Sequence, residues 1–444
     1  MQLFQLGLID ALAGIDAGKF TASDYLESCI KRTLALEPAV GAFAYFDAVA
    51  LRLQAASGPK SGVLAGMPIG IKDIIATRGV PTEMGSNAFK GHIPEKSAWV
   101  VDELANAGAI MFGKTVTTEF AWRHPGKTRN PWKLDHTPGG SSSGSAAAVA
   151  CGCVPAALGT QTLGSVLRPA AFCGVVGYKP SYGAIPRTGV YPLAASLDHV
   201  GVFTRSVADA ALVASVLTGR DGIDFAGTPS PVPAWPLAAA DRPPRIALLR
   251  TAAWDRLSDE QQALIDSTLQ QLTAAGATVT VVALAPAFDA AWSIAQTLCD
   301  AEGAVVNGKL AQEAPPRISQ PSIDLVTRGK ALSASSYIEA RQAQRALILA
   351  FASVMAPFDA ALTAPALGEA PAGLDATGDA LFCTPFTLVG APAISLPAGK
   401  SRNGLPLGIQ LVGSWGNDAR LLQTATWVER QLGQGQGFGL ARCP

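Results

Sequence analysis

Residues 138–148 read Pro-Gly-Gly-Ser-Ser-Ser-Gly-Ser-Ala-Ala-Ala, and residues 159–165 read Gly-Thr-Gln-Thr-Leu-Gly-Ser. The first stretch is a serine-rich turn that passes straight into small residues, which favours the start of a tightly packed helix over a flexible linker. The second is a glycine loop that ends on another serine. Upstream, Lys72 lies among isoleucines. Two serines and a lysine can perform acyl transfer without histidine, provided that the lysine amine is neutral.

Further motifs surround these stretches. Residues 70–75 read Gly-Ile-Lys-Asp-Ile-Ile, residues 81–86 read Pro-Thr-Glu-Met-Gly-Ser, and residues 168–171 read Arg-Pro-Ala-Ala. In this order and together with the two serine stretches, they resemble the amidase signature family, and within it the malonamidase-type members. The resemblance covers nearly the whole chain and is densest in a core from residue 65 to residue 204.

The resemblance implies a Ser-Ser-Lys triad. Ser165 is then the nucleophile, Lys72 is the base, and Ser141, preceded by a cis peptide bond from Gly140, connects the two. The oxyanion hole is formed by the backbone amides of Thr162, Leu163, Gly164 and Ser165. In malonamidase-type members the arginine at position 168 holds a carboxylate of the substrate, a task that suits a guanidinium group. The alternative for Arg168 is an ion pair with a carboxylate of the protein itself.

A lysine acts as a base only if its charged form is destabilised. Burial among apolar side chains lowers the pKa of lysine by up to ~3–5 units. Four isoleucines near Lys72 indicate such burial. Asp73 would oppose the effect if it faced the amine, but side chains alternate along a strand, which predicts that Asp73 points away from Lys72.

Two positions depart from the common family pattern. Many members carry aspartate where this chain has Gln161, although glutamine occurs in the malonamidase-like branch. Leu163 stands where the family usually has glycine, and a leucine would be strained if the position required a positive φ. Its side chain would also place apolar bulk near the acyl carbon and favour an apolar acyl group. The malonate-like substrate is therefore weighed against more hydrophobic ones.

A different nucleophile motif overlaps the serine run. Residues 140–144 match the G-x-S-x-G pattern of the nucleophile elbow, centred on Ser142. That elbow follows an apolar strand, whereas the composition of residues 130–138 indicates a loop. Asp198 and His199 would be the only evident partners of Ser142 in such a triad. Because the segment before Ser142 does not fit the elbow, we expect His199 to be a structural or surface residue. The four scattered histidines match no metal-binding spacing, and we expect neither a metal nor a cofactor.

Composition excludes several classes of protein. The 444 residues carry 34 Lys and Arg against 34 Asp and Glu, so no basic field is available to attract nucleic acid. The seven cysteines are irregularly spaced, which favours buried free thiols in a reducing cytoplasm. No signal peptide and no apolar run long enough to span a membrane is evident. We expect a soluble cytoplasmic protein that does not bind membranes.

Alternating patterns predict an α/β fold. The apolar spacing after Thr21 predicts a helix that runs to Pro38. A strand over 245–249, a helix over 258–275 and a strand over 277–284 follow a proline-rich surface loop over 226–244. Strands are also predicted over 360–365, 393–397 and 406–411, which resemble the segments that complete the family's sheet. The resemblance implies one large domain over 1–444, a mixed sheet covered by helices on both faces.

These observations predict an amidase that cleaves linear carbon–nitrogen amide bonds through a covalent acyl-enzyme. A small carboxylate-bearing amide is favoured narrowly over an aryl amide, a carbamate or a urea-type substrate. Two further alternatives stay open, namely a non-catalytic binding homologue and the glutaminase subunit of a tRNA-dependent amidotransferase. The expected partner is a small-molecule amide, and a homodimer is one option for the assembly.

Overall fold

A computed structural model describes residues 2–56, 61–226, 236–237, 240, 242–433, 439–441 and 443. The strands within these ranges are β1 (Phe43–Tyr45), β2 (Pro68–Lys72), β3 (Ile110–Thr115), β4 (Ala156–Gln161), β5 (Val176–Lys179), β6 (His199–Thr204), β7 (Arg245–Arg250), β8 (Thr278–Ala283), β9 (Ala360–Thr363), β10 (Ala393–Lys400) and β11 (Pro406–Val412). The α-helices are α1 (Leu8–Asp16), α2 (Ala22–Val40), α3 (Ala48–Ala56), α4 (Trp99–Asn106), α5 (Ser143–Cys151), α6 (Leu167–Cys173), α7 (Val207–Leu217), α8 (Asp259–Ala274), α9 (Ala291–Glu313), α10 (Gln320–Ala331), α11 (Ala334–Met355), α12 (Thr384–Leu388) and α13 (Asp418–Gln431).

All of these strands join one mixed sheet in the order β1-β3-β2-β4-β6-β5-β10-β11-β9-β7-β8. Strand β2 lies parallel to both β3 and β4, whereas β4, β6, β5, β10, β11 and β9 pair antiparallel in turn. Strands from both halves of the chain therefore complete a single sheet. Helices flank the sheet, which confirms the predicted single α/β domain.

Helix α5 shows why small residues follow the serine run. Every residue of α5 is buried. A β-carbon added at Gly144 would lie 2.2 Å from the carbonyl oxygen of Ala42 and 2.3 Å from the backbone nitrogen of Val116. At Gly144 the helix backbone therefore lies almost in contact with neighbouring backbone, which only glycine permits. This packing holds the serines at its amino-terminal end in place.

The first long helix differs from its prediction at its end. Helix α2 begins at the predicted cap, where Asp24 N donates to Thr21 Oγ1 at 3.1 Å. It continues through Pro38 to Val40 and ends at Gly41, which has a φ of 64°. Pro38 lies in the last turn, and the side chain of Leu34, four residues earlier, is 51% exposed. Because Pro38 has no N–H, the carbonyl of Leu34 lacks its helical partner. This carbonyl belongs to the solvent side of the helix, where water replaces the lost hydrogen bond.

The other predicted elements lie close to where the patterns indicate. Strands β7 and β8, helix α8 and the three strands β9, β10 and β11 match their predicted segments within three residues. Most of the proline-rich loop over 226–244 lies outside the described residues. Six of the seven cysteines are buried, and all seven are free thiols. No described helix combines the length and apolar character that crossing a bilayer requires.

Candidate active site

Lys72 is the last residue of β2 and lies between β3 and β4. Its side chain is 0% exposed. The Nζ atom lies 2.7 Å from Ser141 Oγ and 2.7 Å from Thr160 Oγ1. Burial holds the pKa of the Lys72 amine well below its usual value, and the charge of Asp198 opposes this shift only in part. The amine is thus suited to accept a proton from Ser141.

Asp73 does not offset this effect. Its Oδ2 accepts a hydrogen bond from Glu83 N at 3.1 Å, and its Oδ1 lies 4.0 Å from Lys114 Nζ. Lys114 also donates to Thr82 Oγ1 at 2.8 Å. Burial raises the pKa of Asp73 and lowers the pKa of Lys114, while their mutual attraction opposes both shifts. The carboxylate of Asp73 and the amine of Lys114 therefore face each other. Asp73 points away from Lys72, as the alternation of side chains along a strand predicts.

The three consecutive serines have different surroundings. The peptide bond between Gly140 and Ser141 is cis, as the resemblance implies. Ser141 faces Lys72, whereas Ser142 Oγ donates to the carbonyl of Thr160 at 3.1 Å and accepts from its amide at 3.2 Å. Ser143 Oγ donates to the carbonyl of Val116 at 3.3 Å. Ser142 and Ser143 thus join the serine run to the sheet, and only Ser141 contacts the lysine.

We expect Ser142→Ala to leave most of the activity while lowering stability. The variant removes two hydrogen bonds to strand β4 from a fully buried position, which costs about 1–3 kcal/mol of unfolding free energy. Urea denaturation and the rate per folded enzyme would measure both effects. Loss of all activity in a folded Ser142→Ala protein would instead support the nucleophile-elbow interpretation.

The loop over 162–165 presents free backbone amides. None of its four N–H groups donates to another residue within the described part of the chain. Gln161 supports the loop, since its Oε1 accepts from Val166 N at 2.8 Å and from Leu167 N at 3.0 Å. Its Nε2 donates to Thr387 Oγ1 at 2.9 Å, and Thr387 Oγ1 in turn donates to the carbonyl of Leu163 at 2.7 Å. The side chain of Gln161 therefore accepts hydrogen bonds from two backbone amides at the start of α6 and is connected through Thr387 to a carbonyl of the loop.

Leu163 fits the loop without backbone strain. The only described residues other than glycine with positive φ are Met84, Phe120 and Ala121. The expected penalty for a leucine at a position of positive φ therefore does not arise. The side chain is half-buried against an apolar cluster and also lines the cavity beside the loop, so it narrows the space next to Ser165.

This cavity measures about 490 Å³ and brings most of the predicted site together. Ser141, the loop over 162–165 and Arg168 line this cavity. Residues 375–380 line it next to Arg168, whose Nη2 donates to Thr377 Oγ1, and Trp122 and Trp292 contribute aromatic side chains. Ser165 is 8% exposed and its hydroxyl has no hydrogen-bond partner among the described residues. A small molecule in the cavity would contact Ser165 and the free amides together.

Arg168 lies on α6 and is 5% exposed. Its Nη2 donates to the carbonyl of Gly140 at 2.6 Å and to Thr377 Oγ1 at 3.3 Å, while its Nε is buried without a partner. No carboxylate lies within 4.0 Å of its guanidinium among the described residues, so the predicted alternative of an internal ion pair is wrong. Burial lowers the pKa of this guanidinium. The geometry leaves a buried cation near Ser165 that makes no direct ion pair among the described residues, although the charge of Asp379 acts on it and opposes the effect of burial on its pKa.

Asp198 and His199 do not serve Ser142. Asp198 Oδ1 accepts from Thr162 Oγ1 at 2.6 Å, and His199 Nδ1 lies 2.6 Å from the carbonyl of Leu197. Burial holds the pKa of His199 well below its usual value, so the imidazole is neutral. Within the described ranges, no cluster of three or more His, Cys, Asp or Glu side chains has the arrangement of a metal site.

Sequence reasoning missed two supporting threonines. Thr160 is the second hydrogen-bond partner of Lys72, and Thr387 connects Gln161 to the loop. Thr160 lies within the quoted stretch over 159–165. Its position in the same motif as the loop was the signal that could have identified it as a site residue. Thr387 comes from α12, more than 200 residues later in the chain, and no local pattern marks it.

The chain is similar to several known proteins. A family model described as Amidase matches residues 24–422. A glutamyl-tRNA(Gln) amidotransferase subunit from Anaeromyxobacter sp. (strain K) is 34% identical over 97% of each chain. The crystal structure of the corresponding subunit from Thermotoga maritima aligns with a TM-score of 0.88 and 28% identity, covering 100% of this chain and 99% of that one. A crystal structure of an amidase aligns at 0.85 with 32% identity, covering 96% and 100%.

Proposed function

We propose that this chain, which belongs to the amidase signature family, hydrolyses the C–N bond of a linear amide through an acyl-enzyme on Ser165. The observation that carries the proposal is the buried Lys72 amine, 2.7 Å from Ser141 Oγ. Ser141 also lines the cavity that contains Ser165 and the free amides of the loop over 162–165. Bridging hydroxyl, nucleophile and oxyanion donors are thus proposed to line one small space, with the base behind it in contact with the bridging hydroxyl.

The first half of the reaction forms the ester. Ser165 Oγ attacks the amide carbonyl carbon as its proton passes to Ser141, whose own proton passes to Lys72 Nζ. The oxyanion accepts hydrogen bonds from the loop amides, which belong to residues that line the cavity and have no other acceptor among the described residues. The relay then returns a proton from Ser141 to the nitrogen of the substrate, Lys72 reprotonates Ser141, and the C–N bond breaks. The amine leaves and the acyl group stays on Ser165.

Water completes the cycle by the same route in reverse. A water molecule gives its proton to the relay and attacks the ester carbon, and the second tetrahedral intermediate uses the same loop amides. Ser165 leaves with a proton returned through Ser141, and the carboxylic acid is released. Every step uses side chains and backbone of this chain, with water as the only co-reactant.

The surroundings of Arg168 support a small carboxylate-bearing substrate. A buried guanidinium without a carboxylate partner is costly, and an anionic group of the substrate would supply the missing charge. The cavity is also lined by Arg123 and Asp375, while Asp379 is paired with Arg256 at 3.3 Å and acts on Arg168 only through its charge. Leu163 argues in the other direction because it favours an apolar acyl group. On balance we propose a malonamate-like amide, with aryl amides, carbamates and urea-type compounds as the next candidates.

Replacing Arg168 with lysine tests this choice. The planar guanidinium, which can donate two parallel hydrogen bonds to a carboxylate, is replaced by a compact ammonium group. We therefore expect kcat/KM for malonamate to fall by about 10- to 100-fold, which corresponds to the loss of one charged hydrogen bond. A neutral amide such as propionamide should be affected far less, and the unfolding midpoint serves as the control. If both substrates lose activity equally and the midpoint drops, Arg168 holds the carbonyl of Gly140 rather than the substrate.

A second candidate function rests on the relatives themselves. The curated proteins to which the chain is similar include glutamyl-tRNA(Gln) amidotransferase subunits, two of them from Anaeromyxobacter at 34–35% identity. We therefore propose as the runner-up a glutaminase subunit that acts with partner proteins on a charged tRNA. The malonamidase-type assignment and the absence of a nucleic-acid partner both stay predictions. Hydrolysis of free glutamine that exceeds hydrolysis of all small amides would favour this second function.

A turnover screen decides between these functions. Ammonia or amine release would be measured with malonamate, propionamide, an anilide, an aryl carbamate, a urea derivative and glutamine, with Ser165→Ala as the blank. The proposal expects the highest kcat/KM for malonamate. A large preference for a neutral substrate would contradict the substrate assignment and leave the amidase chemistry intact.

A further inference from the structure

A carboxylate separates the catalytic cavity from a second cavity. The second cavity measures about 250 Å³ and is lined by Asp198, His199 and Thr160. Ala121, Thr162 and Leu193 line both cavities. Thr160 is also a hydrogen-bond partner of Lys72. The wall between the two spaces therefore includes the first residue of the oxyanion loop and lies beside the lysine.

Asp198 holds this wall together. Its Oδ1 accepts from Thr162 Oγ1 at 2.6 Å, and its Oδ2 accepts from Leu193 N at 2.8 Å and Ala194 N at 2.9 Å. The other support of the loop acts further along, where Thr387 donates to the carbonyl of Leu163. Asp198 thus provides the side-chain hydrogen bond that fixes Thr162 to the neighbouring segment.

The same carboxylate acts on Lys72 through its charge. Asp198 raises the pKa of the Lys72 amine, against the larger effect of burial. The other charges nearby are engaged elsewhere. Asp73, which directly follows β2, and Lys114 on β3 face each other. Beyond Asp198, Arg187 pairs with Asp224 at 2.9 Å and donates to the backbone carbonyl of Asp198 at 3.2 Å. Burial raises the pKa of Asp198, while its own hydrogen bonds and the charge of Arg187 oppose that shift.

We propose that Asp198 is a positioning residue for the amide hydrolysis, with two separable effects. Its hydrogen bond to Thr162 orients the donors of the loop over 162–165, and its negative charge, in the cavity that Thr160 also lines, moves the pH range in which Lys72 is neutral towards higher pH. Asp198 contacts neither the reacting carbonyl nor the nucleophile. The inference rests on the proposed function, because it assigns a role in that reaction.

Two variants separate the two effects. Thr162→Val keeps the shape of the side chain at position 162 and leaves Asp198 charged, but it removes the hydroxyl that bonds to Asp198. We expect kcat to fall by about 10- to 100-fold, a smaller decrease than the removal of a complete oxyanion donor would cause. KM should change little, and the acid limb of the pH profile should stay in place. Asp198→Asn removes the charge and keeps one oxygen that can accept from Thr162 Oγ1, while its amide nitrogen cannot accept from Leu193 N and Ala194 N, so its unfolding midpoint is compared with that of the wild type. The Lys72 amine then loses the interaction that favours its protonated form, so the acid limb should move to lower pH.

The readout is twofold. Steady-state rates with the best amide of the screen give kcat, KM and the pH profile, and the rate at which a fluorophosphonate labels Ser165 gives the same profile without a substrate. Rates are expressed per folded protein from the unfolding midpoint. The inference is supported if Thr162→Val loses kcat alone and Asp198→Asn moves the acid limb.

Unchanged kcat in Thr162→Val, or an acid limb that stays in place in Asp198→Asn, overturns the inference while wild-type turnover still supports the proposed function. A shift of the unfolding midpoint with unchanged rates would likewise reduce Asp198 to a structural residue. A wild-type protein that neither hydrolyses an amide nor reacts with the fluorophosphonate overturns the proposed function itself, and this inference with it.

Discussion

Ser165→Ala is expected to lower amide hydrolysis by about 10⁵-fold or more, the scale on which the loss of a serine nucleophile acts. Without Ser165 Oγ no acyl-enzyme forms, and neither Lys72 nor the loop amides can replace that covalent step. The residue is 8% exposed, and its hydroxyl has no hydrogen-bond partner among the described residues, so the variant should fold normally. Product release over hours, with the unfolding midpoint measured in parallel, would quantify the loss.

Ser142→Ala is the matched control for this variant. Both replace one buried hydroxyl in the same part of the fold, but Ser142 Oγ is bonded to the backbone of Thr160. We expect Ser142→Ala to stay active and Ser165→Ala to be inactive. The opposite pair of results would show that the Ser-Ser-Lys interpretation is wrong.

Replacement of Lys72 should have the second largest effect. Lys72→Met keeps the length of the side chain and removes the amine, so hydrolysis should fall by about 10³-fold or more, within the range of general-base catalysis. Lys72→Arg should be as inactive as Lys72→Met, because a guanidinium stays protonated and cannot accept the proton of Ser141. An active Lys72→Arg enzyme would mean that the lysine acts through its positive charge.

The wild-type pH profile follows from the same group. Burial holds the pKa of Lys72 below its usual value, so the amine is neutral over a wider pH range than an exposed lysine. Only the neutral form accepts a proton, and activity should therefore decline as the pH falls through the pKa of the buried amine. Rates that stay constant through the acid range in which the protein remains folded would contradict a role for Lys72 as base.

Much of the fold follows from local patterns. The capping box at Thr21 and Asp24, the valine-rich strand β8 and the small-residue helix α5 each depend on residues close together in the chain. Pro38 shows the limit of such reasoning. A proline predicts the end of a helix, yet its missing hydrogen bond costs little in a last turn on the solvent side, and the helix continues to Val40.

Only those residues of the candidate site that lie in short sequence motifs could be predicted. Lys72, Ser141 and the loop over 162–165 lie in short motifs, so their association follows from the family resemblance. The absence of strain at Leu163 depends on the path of the loop backbone, which the sequence does not reveal. Likewise, the engagement of Arg168 with the carbonyl of Gly140 is a contact between distant segments.

The dimensions of the cavity bear on the substrate. A space of about 490 Å³ lined by Trp122, Trp292 and the loop over 162–165 is large enough for a malonamate-like amide and for an aryl amide, so its volume is compatible with both proposed substrate classes. Leu163 takes up part of the space next to Ser165. We expect Leu163→Gly to widen the range of acyl groups rather than to abolish the reaction, since the donors of the loop belong to its backbone.

The most direct test of this account is covalent labelling of the nucleophile. The protein would be incubated with a fluorophosphonate, and the modified residue would be identified by mass spectrometry of peptides, in the wild type, Ser142→Ala and Lys72→Met. We predict one adduct on Ser165 in the wild type and in Ser142→Ala, and labelling at least about 10²-fold slower in Lys72→Met, because the base is absent. An adduct on Ser142, or an active enzyme in which Ser165 stays unmodified, would contradict the account.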